Sequence, residues 1–298
     1  MLGRFLGFNE SPISGSTLVY GLIGDPVDHS LSPAMHNAAF RSLGLNAVYL
    51  AFRVRDGDLG QAVQGLKSLN VRGFNVTTPH KMGMLRYLDE VETKSAEIGS
   101  INTVKKEAAL LTGFNTDGVG ALRAMEEARI RSDERTVLLL GAGGAARAIA
   151  YTLARRGCLL NVANRSVSNA RRLVRALNER FGVKTKSLPL SKRALKACVN
   201  QTEIILNASS MGMDGRHNPP IDKKWIRSDQ CVFDIVYRPL RTKLLRDANA
   251  VEARTITGLD MLVNQGASSF TIWTGKKPPL REMRRAIFKL SHKDVANR

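Results

Sequence analysis

Residues 136–150 read TVLLLGAGGAARAIA, and this stretch decides the fold of the chain. Four apolar residues, Val137 to Leu140, lead directly into a glycine-rich turn, and the alanine-rich segment behind the turn favours a helix. A bare G-x-G-x-x-[GA] match is weak evidence, but these glycines stand between a buried strand and a helix start, where a dinucleotide-binding turn needs them. A parallel strand and helix without a ligand is the alternative.

The small residues of this turn each have a predicted role. Gly141 permits the tight turn, Gly143 lets a pyrophosphate approach the backbone, and Ala146 lets the helix pack closely on the strand. The N–H groups and the positive dipole end of the helix then face the phosphates. We therefore predict a Rossmann domain that binds a dinucleotide.

The next strand, CLLNVANRS, bears on the choice of cofactor. It ends about two dozen residues beyond Gly141, where such a fold meets the adenosine ribose. An acidic residue there would bind the 2′-hydroxyl of NAD, but the chain has Arg165 and Ser166, with Arg171 and Arg172 shortly after. Guanidinium groups suit a 2′-phosphate and predict NADP. Arg165 as an ordinary surface residue is the alternative.

Composition indicates a globular protein of two domains. The chain has 298 residues, of which 43% are hydrophobic and 24% charged. An uncharged run near the ~20 residues of a membrane span is absent from the sequence, and residues 1–17 have no apolar signal-peptide core. Cys158, Cys198 and Cys231 are few and widely spaced, which argues against a disulfide framework or a zinc site. We expect a cytoplasmic protein without a metal.

The net charge of +19 is the unusual global feature. It could indicate nucleic-acid binding. However, the basic residues are spread along predicted helices among acidic ones, without the interleaved aromatic residues of a nucleic-acid surface. We expect a solvated surface whose positive field raises encounter rates with small anionic molecules.

Strands and helices alternate in the N-terminal part. The predicted strands are LVYGLI (18–23), AVYLAFRV (47–54) and VRGFNVTTP (71–79), with helices predicted at about 33–43, at 56–69 and from about Pro79. After the first strand, Ser30 and Ser32 flank a leucine, and Ser32 is predicted as the helix N-cap. Two hydroxyl groups beside a helix N-terminus could also accept a carboxylate.

Polar residues follow the third strand. Asn75, Thr77 and Lys81 place an amide, a hydroxyl and an ammonium at one strand end, where ligands bind in such sheets. Further on, SINT supplies Asn102, and NTDG supplies Asp117 at the start of a helix. Asp117 is either an N-cap or a carboxylate that meets Lys81 and forms an acid/base pair with it.

The C-terminal half continues the sheet. Strands are predicted at Glu203–Ser209 and Gln230–Tyr237, followed by a mostly buried helix from Gly258 that carries Gln265, and by an amphipathic helix at 281–290. We predict an extension at 1–17, a substrate domain at 18–117, a Rossmann domain at 118–257, and helices at 258–298 that return to the substrate domain.

The motifs, taken together and in order, resemble those of the shikimate/quinate dehydrogenase family. They are HSLSP, NVTTPHK, SINT, NTDG, GAGGAARA, NRS, the Tyr237 segment and GLDMLVNQ, and the likeness runs from about Val19 to the C-terminus. The resemblance implies an N-terminal α/β substrate domain, a C-terminal NADP-binding Rossmann domain and a cleft between them.

The resemblance also implies a role for individual residues. Ser30 and Ser32, helped by Tyr237, would hold the substrate carboxylate. The residues that would hold the ring hydroxyls are Thr77, Asn102, Asp117 and Gln265. Lys81 would be the catalytic acid/base, with Asp117 as its partner.

For the cofactor, the family positions again map onto this sequence. The pyrophosphate of NADP(H) would lie on Gly141, Ala142, Gly143, Gly144 and Ala145. The 2′-phosphorylated ribose would lie on Asn164, Arg165 and Ser166. Ile235 and Gly258 match positions near the nicotinamide. Asn169 stands where many NADP-using relatives have a second arginine, which weakens the phosphate clamp and leaves room for NAD.

The implied reaction is the reversible NADP-dependent reduction of 3-dehydroshikimate to shikimate, in which Lys81 protonates the developing alkoxide. The Ser30/Ser32 pair and Thr77 favour shikimate over the rival substrate quinate, for which an NAD-linked dehydrogenase is the alternative. A non-catalytic dinucleotide-binding protein is a second alternative, against which the Lys81 and Asp117 pair argues. The enzyme would be a monomer or a homodimer. Residues 1–17 would be either a flexible tail or the remnant of a junction to another enzyme.

Overall fold

The computed structural model describes residues 13–215 and 217–296. Most of the predicted extension, residues 1–12, lies outside the described residues. The strands are β1 Leu18–Gly24, β2 Ala47–Arg53, β3 Gly73–Val76, β4 Glu90–Val91, β5 Thr103–Glu107, β6 Leu110–Phe114, β7 Thr136–Leu140, β8 Leu159–Asn164, β9 Lys186–Pro189, β10 Ile204–Asn207, β11 Cys231–Asp234 and β12 Arg254–Ile256.

The helices alternate with these strands. They are α1 Ser32–Ser42, α2 Leu59–Ser68, α3 Thr93–Ile98, α4 Asp117–Glu127, α5 Gly144–Ala154, α6 Val167–Phe181, α7 Lys192–Val199, α8 Lys243–Asn249, α9 Gly258–Thr274 and α10 Leu280–Ala296, with 3₁₀ helices at Gly83–Tyr87, Met213–Gly215 and Lys223–Trp225. The alternation confirms the predicted α/β class.

The chain divides into two compact units. The first comprises the described residues of Met1–Glu97, Ile101–Phe114 and Gly266–Arg298, and the second comprises Ile98–Ser100 and Asn115–Gln265. The division therefore falls within α9, after Gln265. Of the helices in residues 13–215 and 217–296, none is both long and apolar enough to cross a membrane.

In the first unit the sheet has the order β2-β1-β3-β5-β6-β4. β1 lies parallel between β2 and β3, as the alternating strands and helices predict, because parallel neighbours need a crossover helix. β5 is antiparallel to both β3 and β6, and this hairpin was not expected from the sequence. One face of the sheet buries residues such as Phe74, Met84 and Ile101.

Aromatic side chains form a second cluster in this unit. The ring of Tyr20 on β1 lies 5.2 Å from Phe40 on α1 and 5.4 Å from Trp273 on α9, and Phe40 lies 5.6 Å from Phe270. Edge and tilted aromatic pairs of this kind add about 0.5–1.5 kcal/mol each beyond area burial. α10, which begins one residue before the predicted start and continues past the predicted end, packs against α1.

In the second unit the sheet has the order β12-β11-β10-β7-β8-β9, and all its strands are parallel. In chain order this is 3-2-1-4-5-6 read from β9, the arrangement of a Rossmann fold. The predicted strands around 136–140, 158–166, 203–209 and 230–237 are confirmed, and β9 and β12 are additional. β8, the next strand in the chain, lies on one side of β7, and β10 lies on the other side. The chain order of the strands therefore reverses at β7, and ligands bind at the carboxyl end of the strands at such a switch point.

Candidate active site

The two predicted carboxylate ligands lie where β1 gives way to α1. Leu31, and not Ser32, is the N-cap of α1, so the predicted capping role of Ser32 is wrong. Ser32 is the first helical residue, and its backbone N–H donates to the Ser30 hydroxyl at 3.2 Å. Pro33 follows in the first turn, which contains no acidic residue in the sequence. Two hydroxyls beside this N-terminus suit a small carboxylate.

Thr77 lies next to this loop because β1 and β3 are neighbours. Its N–H donates to Ile23 O at 2.9 Å, and Asp25 N–H donates to Thr78 O at 2.9 Å. A Cβ added at Gly24 would lie 2.2 Å from Thr77 Cγ2, so glycine is the residue that allows this approach. The serine loop and Thr77 are therefore held together at the carboxyl ends of adjacent strands.

Lys81 lies in the turn that leads to the 3₁₀ helix Gly83–Tyr87 and is half-buried. The α-helix predicted from about Pro79 is wrong. The carbonyl of Lys81 instead accepts the N–H of Ile101 at 2.8 Å, which joins this turn to the SINT segment. The preceding ring, His80, is fixed by a contact of 2.7 Å between Nε2 and Val54 O. Lys81 is thereby placed beside the segment that carries Asn102.

Asn102 is buried and its backbone is held on two sides. Its N–H donates to Phe114 O at 3.1 Å, and its carbonyl accepts Val76 N–H at 2.9 Å and Asn75 Nδ2 at 3.0 Å. The sequence analysis singled out the Asn75 amide as a polar group at a strand end. In the structure it is buried and hydrogen-bonds to the backbone of Asn102. The first unit brings the serine loop, Thr77, Lys81 and Asn102 to one edge of its sheet.

Asp117 and Gln265 lie close together in the second unit. Asp117 is buried at the first helical position of α4, and Thr116 is the N-cap, so N-capping by Asp117 is wrong. The Thr116 hydroxyl donates to Gln265 Oε1 at 3.4 Å, and a Cβ added at Gly120 would lie 2.7 Å from Gln265 Cβ. The close approach of α4 and α9 at Gly120 therefore places Gln265 beside Thr116, at the start of the helix that carries Asp117.

The glycine-rich turn has the geometry that a diphosphate requires. Gly141 has φ +114°, and a Cβ there would lie 2.8 Å from Ala208 O. Gly143 is the N-cap of α5, and in the described part of the chain a Cβ there would project into open space. The first intrahelical bond runs from Arg147 N–H to Gly143 O at 2.9 Å, so the preceding N–H groups point outward from the helix start. Gly141 to Ala145 fit the predicted diphosphate.

The end of β8 has a basic character. Asn164 Nδ2 donates to Ser166 O at 3.0 Å, and Arg165 between them is exposed. On α6, the Arg172 guanidinium donates to Asn169 Oδ1. The pKa of Arg147 is lowered first by burial and then by the positive charge of Arg172. Guanidinium groups such as those of Arg165 and Arg172 suit an anion such as a 2′-phosphate.

Ile235 and Gly258 approach each other closely in the second unit. A Cβ added at Gly258 would lie 2.2 Å from Ile235 O, and Ile235 N–H donates to Asn207 O at 3.0 Å. Tyr237 lies two residues further, half-buried in the loop between β11 and α8. The loop positions predicted for the nicotinamide are thus fixed by backbone contacts. Within residues 13–215 and 217–296, no cluster of three or more His, Cys, Asp or Glu residues could hold a metal ion.

Comparison with known proteins identifies the family. Family models match residues 22–104 (shikimate dehydrogenase substrate binding domain), 123–231 (shikimate / quinate 5-dehydrogenase) and 258–288 (shikimate 5'-dehydrogenase C-terminal domain). The NADP(+) shikimate dehydrogenase of Moorella thermoacetica is 45% identical over 277 residues, which cover 92% of this chain and 94% of the relative. The chain belongs to the shikimate dehydrogenase family.

Solved structures of the family have the same fold. A shikimate dehydrogenase in complex with NADP+ matches with a TM-score of 0.87 at 42% identity, over 94% of this chain and 97% of that chain. Quinate dehydrogenase from Corynebacterium glutamicum in complex with NAD matches with a TM-score of 0.83 at 32% identity, over 92% and 99%. The predicted fold class, an N-terminal substrate domain and a C-terminal Rossmann domain, is confirmed.

The sequence analysis did not single out Asp234. Its carboxylate is buried at the end of β11 and accepts Asn207 Nδ2 at 2.9 Å, Val236 N–H at 3.0 Å and the Thr242 hydroxyl at 2.7 Å. Burial raises the pKa of Asp234 to about 6, against the opposing effect of these hydrogen bonds. The signal available in the sequence was an acidic residue directly after the apolar residues 231–233 of a predicted strand. Asp234 ties the loop that carries Ile235 to β10 and α8.

Proposed function

We propose that this member of the family catalyses the reversible NADP-dependent reduction of 3-dehydroshikimate to shikimate in aromatic amino-acid biosynthesis. One observation carries the proposal. The hydrogen bond from Ile101 N–H to Lys81 O joins the turn that carries Lys81 to the segment that carries Asn102, next to the strand ends that carry Thr77 and the serine loop. The 45% identical Moorella relative bears the same activity in its name.

The proposed substrate ligands bind two parts of the substrate. Ser30 and Ser32, with Tyr237, hold the carboxylate, because two hydroxyls and a helix N-terminus complement a negative charge. The residues proposed to hold the ring hydroxyls are Thr77, Asn102, Asp117 and Gln265. The contact between Thr116 and Gln265 supports a shared position for Asp117 and Gln265 on one side of the ring.

Lys81 is the proposed general acid. NADPH, when bound, supplies the hydride that reduces the ring ketone. The Lys81 ammonium donates its proton to the ketone oxygen as negative charge develops there, and in the reverse direction the neutral amine takes the proton from the shikimate hydroxyl. Asp117 is the proposed partner of Lys81 in this proton transfer. General acid catalysis of this kind contributes about 10²–10⁴-fold.

The cofactor residues follow from the geometry of the second unit. Gly141, Ala142, Gly143, Gly144 and Ala145 receive the diphosphate. Asn164, Arg165 and Ser166 receive the 2′-phosphorylated ribose, and Ile235 and Gly258 border the nicotinamide. The hydrogen bond from Arg172 to Asn169 supports NADP over NAD, because it brings a second guanidinium to the first turn of α6, four residues after Arg165 in the chain.

A quinate dehydrogenase that uses NAD is the second candidate. Asn169 in place of a second arginine and the likeness to the Corynebacterium enzyme favour it. Initial rates with shikimate and quinate, each with NADP and NAD, separate the two. We expect the highest kcat/KM with shikimate and NADP. A preference of more than about tenfold for quinate and NAD, or 1.4 kcal/mol, would reverse the choice. Absence of any reaction would favour a non-catalytic dinucleotide-binding protein.

The remaining assignments are also proposals. Residues 18–117 and 258–298 would carry the substrate, and 118–257 the cofactor. Burial raises the pKa values of the thiols of Cys158 and Cys231, which suits reduced structural cysteines in the cytoplasm. A monomer or homodimer is expected, with small anionic molecules rather than nucleic acid as ligands.

A further inference from the structure

Five polar side chains form a buried hydrogen-bonded network in the first unit. They are Tyr49 on β2, Asn75 on β3, Asn102 before β5, Thr103 on β5 and Ser269 on α9, and each is at most 5% exposed. Buried polar groups are costly unless their donors and acceptors are paired. A network that joins three strands and a helix around one proposed substrate ligand therefore needs a physical reason.

The orientation of the Asn75 amide is set at one end of the network. The Tyr49 hydroxyl donates to Asn75 Oδ1 at 2.8 Å, and the Tyr49 ring stacks on His36 with centroids 4.5 Å apart. Because Oδ1 only accepts, the opposite end of the amide is the NH₂ group. Asn75 Nδ2 lies 3.0 Å from Asn102 O, 3.1 Å from Thr103 Oγ1 and 3.0 Å from Ser269 Oγ.

The Thr103 hydroxyl has a single proton to donate. Its oxygen lies 3.1 Å from Asn75 Nδ2, where it accepts one of the two amide protons or shares it with a neighbouring acceptor, and 2.7 Å from Ser269 Oγ. With Ser269 as the donor in that pair, the Thr103 proton goes to Asn102 Oδ1, at 2.9 Å. Thr103 therefore holds the oxygen end of the Asn102 carboxamide, and the NH₂ end is turned the other way.

We propose that Thr103 is a positioning residue that fixes the carboxamide of Asn102 with its NH₂ group toward the substrate. This inference rests on the proposed function, in which Asn102 binds a ring hydroxyl. Asn102 then donates to the oxygen of that hydroxyl. A carboxamide that could rotate would also turn its oxygen toward the substrate. That oxygen cannot donate a hydrogen bond to the substrate hydroxyl.

Two variants of Thr103 test the proposal. Thr103→Val keeps the volume but removes the hydroxyl, while Thr103→Ser keeps it. We expect Thr103→Val to lower kcat/KM for shikimate about ten- to hundredfold through KM, with KM for NADP unchanged, and Thr103→Ser to retain most of the activity. Thr202→Val is the matched control, because its buried hydroxyl donates to Cys198 O at 2.8 Å and it should leave KM for shikimate unchanged.

A double-mutant cycle separates this inference from the proposed function. If Thr103 acts through Asn102, Thr103→Val causes no further loss of kcat/KM in an Asn102→Ala background. Additive losses, or wild-type kinetics of Thr103→Val while Asn102→Ala is impaired, would overturn the positioning role and leave the proposed function intact. Wild-type kinetics of Asn102→Ala would remove Asn102 from substrate binding altogether.

A further variant covers the case in which Thr103→Val fails to fold. Asn102→Asp places a second oxygen where the NH₂ group stands and still accepts the Thr103 proton. We expect kcat/KM for shikimate to fall by at least about tenfold at neutral pH, with KM for NADP unchanged. Retained kcat/KM would mean that an acceptor suffices at this position, and it would overturn the proposed orientation.

Discussion

The guanidinium of Arg172 donates a hydrogen bond to the side-chain oxygen of Asn169, one turn earlier on α6. Asn169 is the position at which the family resemblance implies a second phosphate-binding arginine. The contact brings a guanidinium back to that position from another residue. A helix makes this compensation available because residues three apart lie on the same face.

The first prediction concerns cofactor choice. We expect Arg165→Ala to raise KM for NADP about ten- to hundredfold, as for the loss of a charge-assisted hydrogen bond, and Arg172→Ala to raise it about three- to tenfold, because the Arg172 guanidinium already donates to Asn169. KM for NAD should change little. Steady-state kinetics with both cofactors measure this. Arg175→Ala, whose side chain pairs with Glu179 at 3.2 Å, is the control. Equal losses with NADP and NAD would contradict the assignment.

The second prediction concerns the proton donor. Lys81→Met removes the ammonium but keeps the length of the side chain, and we expect kcat to fall about 10²–10⁴-fold with little change in KM for NADP. Turnover followed by NADPH absorbance measures the effect. Lys67→Met serves as control, since Lys67 in the same unit pairs with Asp89 at 3.0 Å outside the proposed site. A kcat equal to that of the wild type would exclude Lys81 as the acid.

The third prediction uses the buried carboxyl of Asp234. Its pKa is raised from 3.8 to about 6 in the folded protein, so between these values the folded state binds more protons than the unfolded state. The free energy of unfolding therefore decreases as pH rises from about 4 to about 6, by about 3 kcal/mol at 1.36 kcal/mol per pKa unit.

Asp234→Asn removes this titration. Urea unfolding at several pH values should show the wild type losing stability relative to Asp234→Asn as the pH rises from 4.5 to 6.5, with a constant difference above that range. A difference that is constant throughout, or that changes with the opposite sign, would show that the carboxyl of Asp234 titrates normally.

The fourth prediction concerns the contact between Gly24 and Thr77. An added Cβ at Gly24 would lie 2.2 Å from Thr77 Cγ2 and 2.9 Å from Thr78 O, so Gly24→Ala must displace Thr77. We expect a lower melting temperature and a higher KM for shikimate, with partial rescue by Thr77→Ser, which removes the methyl group. Gly65→Ala in α2 is the control. A Cβ added at Gly65 has no described atom within 4 Å, so this variant should raise the free energy of unfolding by up to ~1 kcal/mol. Unchanged KM in Gly24→Ala would argue against Thr77 as a substrate ligand.

Local features of the sequence predicted the second unit well. The strand, turn and helix at 136–150 are confirmed because each depends on adjacent residues: an apolar run, a glycine with φ +114° at Gly141, and a helix-forming segment. The antiparallel pairing of β5 with β6 was not predicted, since short strands carry little periodicity of their own.

The errors in the first unit have the same origin. Residue type suggested Ser32 as an N-cap, but the backbone of Leu31, with φ −85° and ψ −6°, holds that position. The helix predicted from Pro79 does not form because the carbonyl of Lys81 accepts Ile101 N–H from another segment. In both places a contact or turn made by the surrounding fold overrides local preference.

The sequence by itself determined the class of fold, the glycine-rich turn and the residue types available for chemistry, because these depend on short-range pattern and on side-chain composition. The tertiary structure decided how those side chains are paired. Asn75 reaches Ser269 across 194 residues, and Asp234 reaches Asn207 across 27. Such pairings depend on which strands become neighbours, which is settled when the whole sheet buries its two faces.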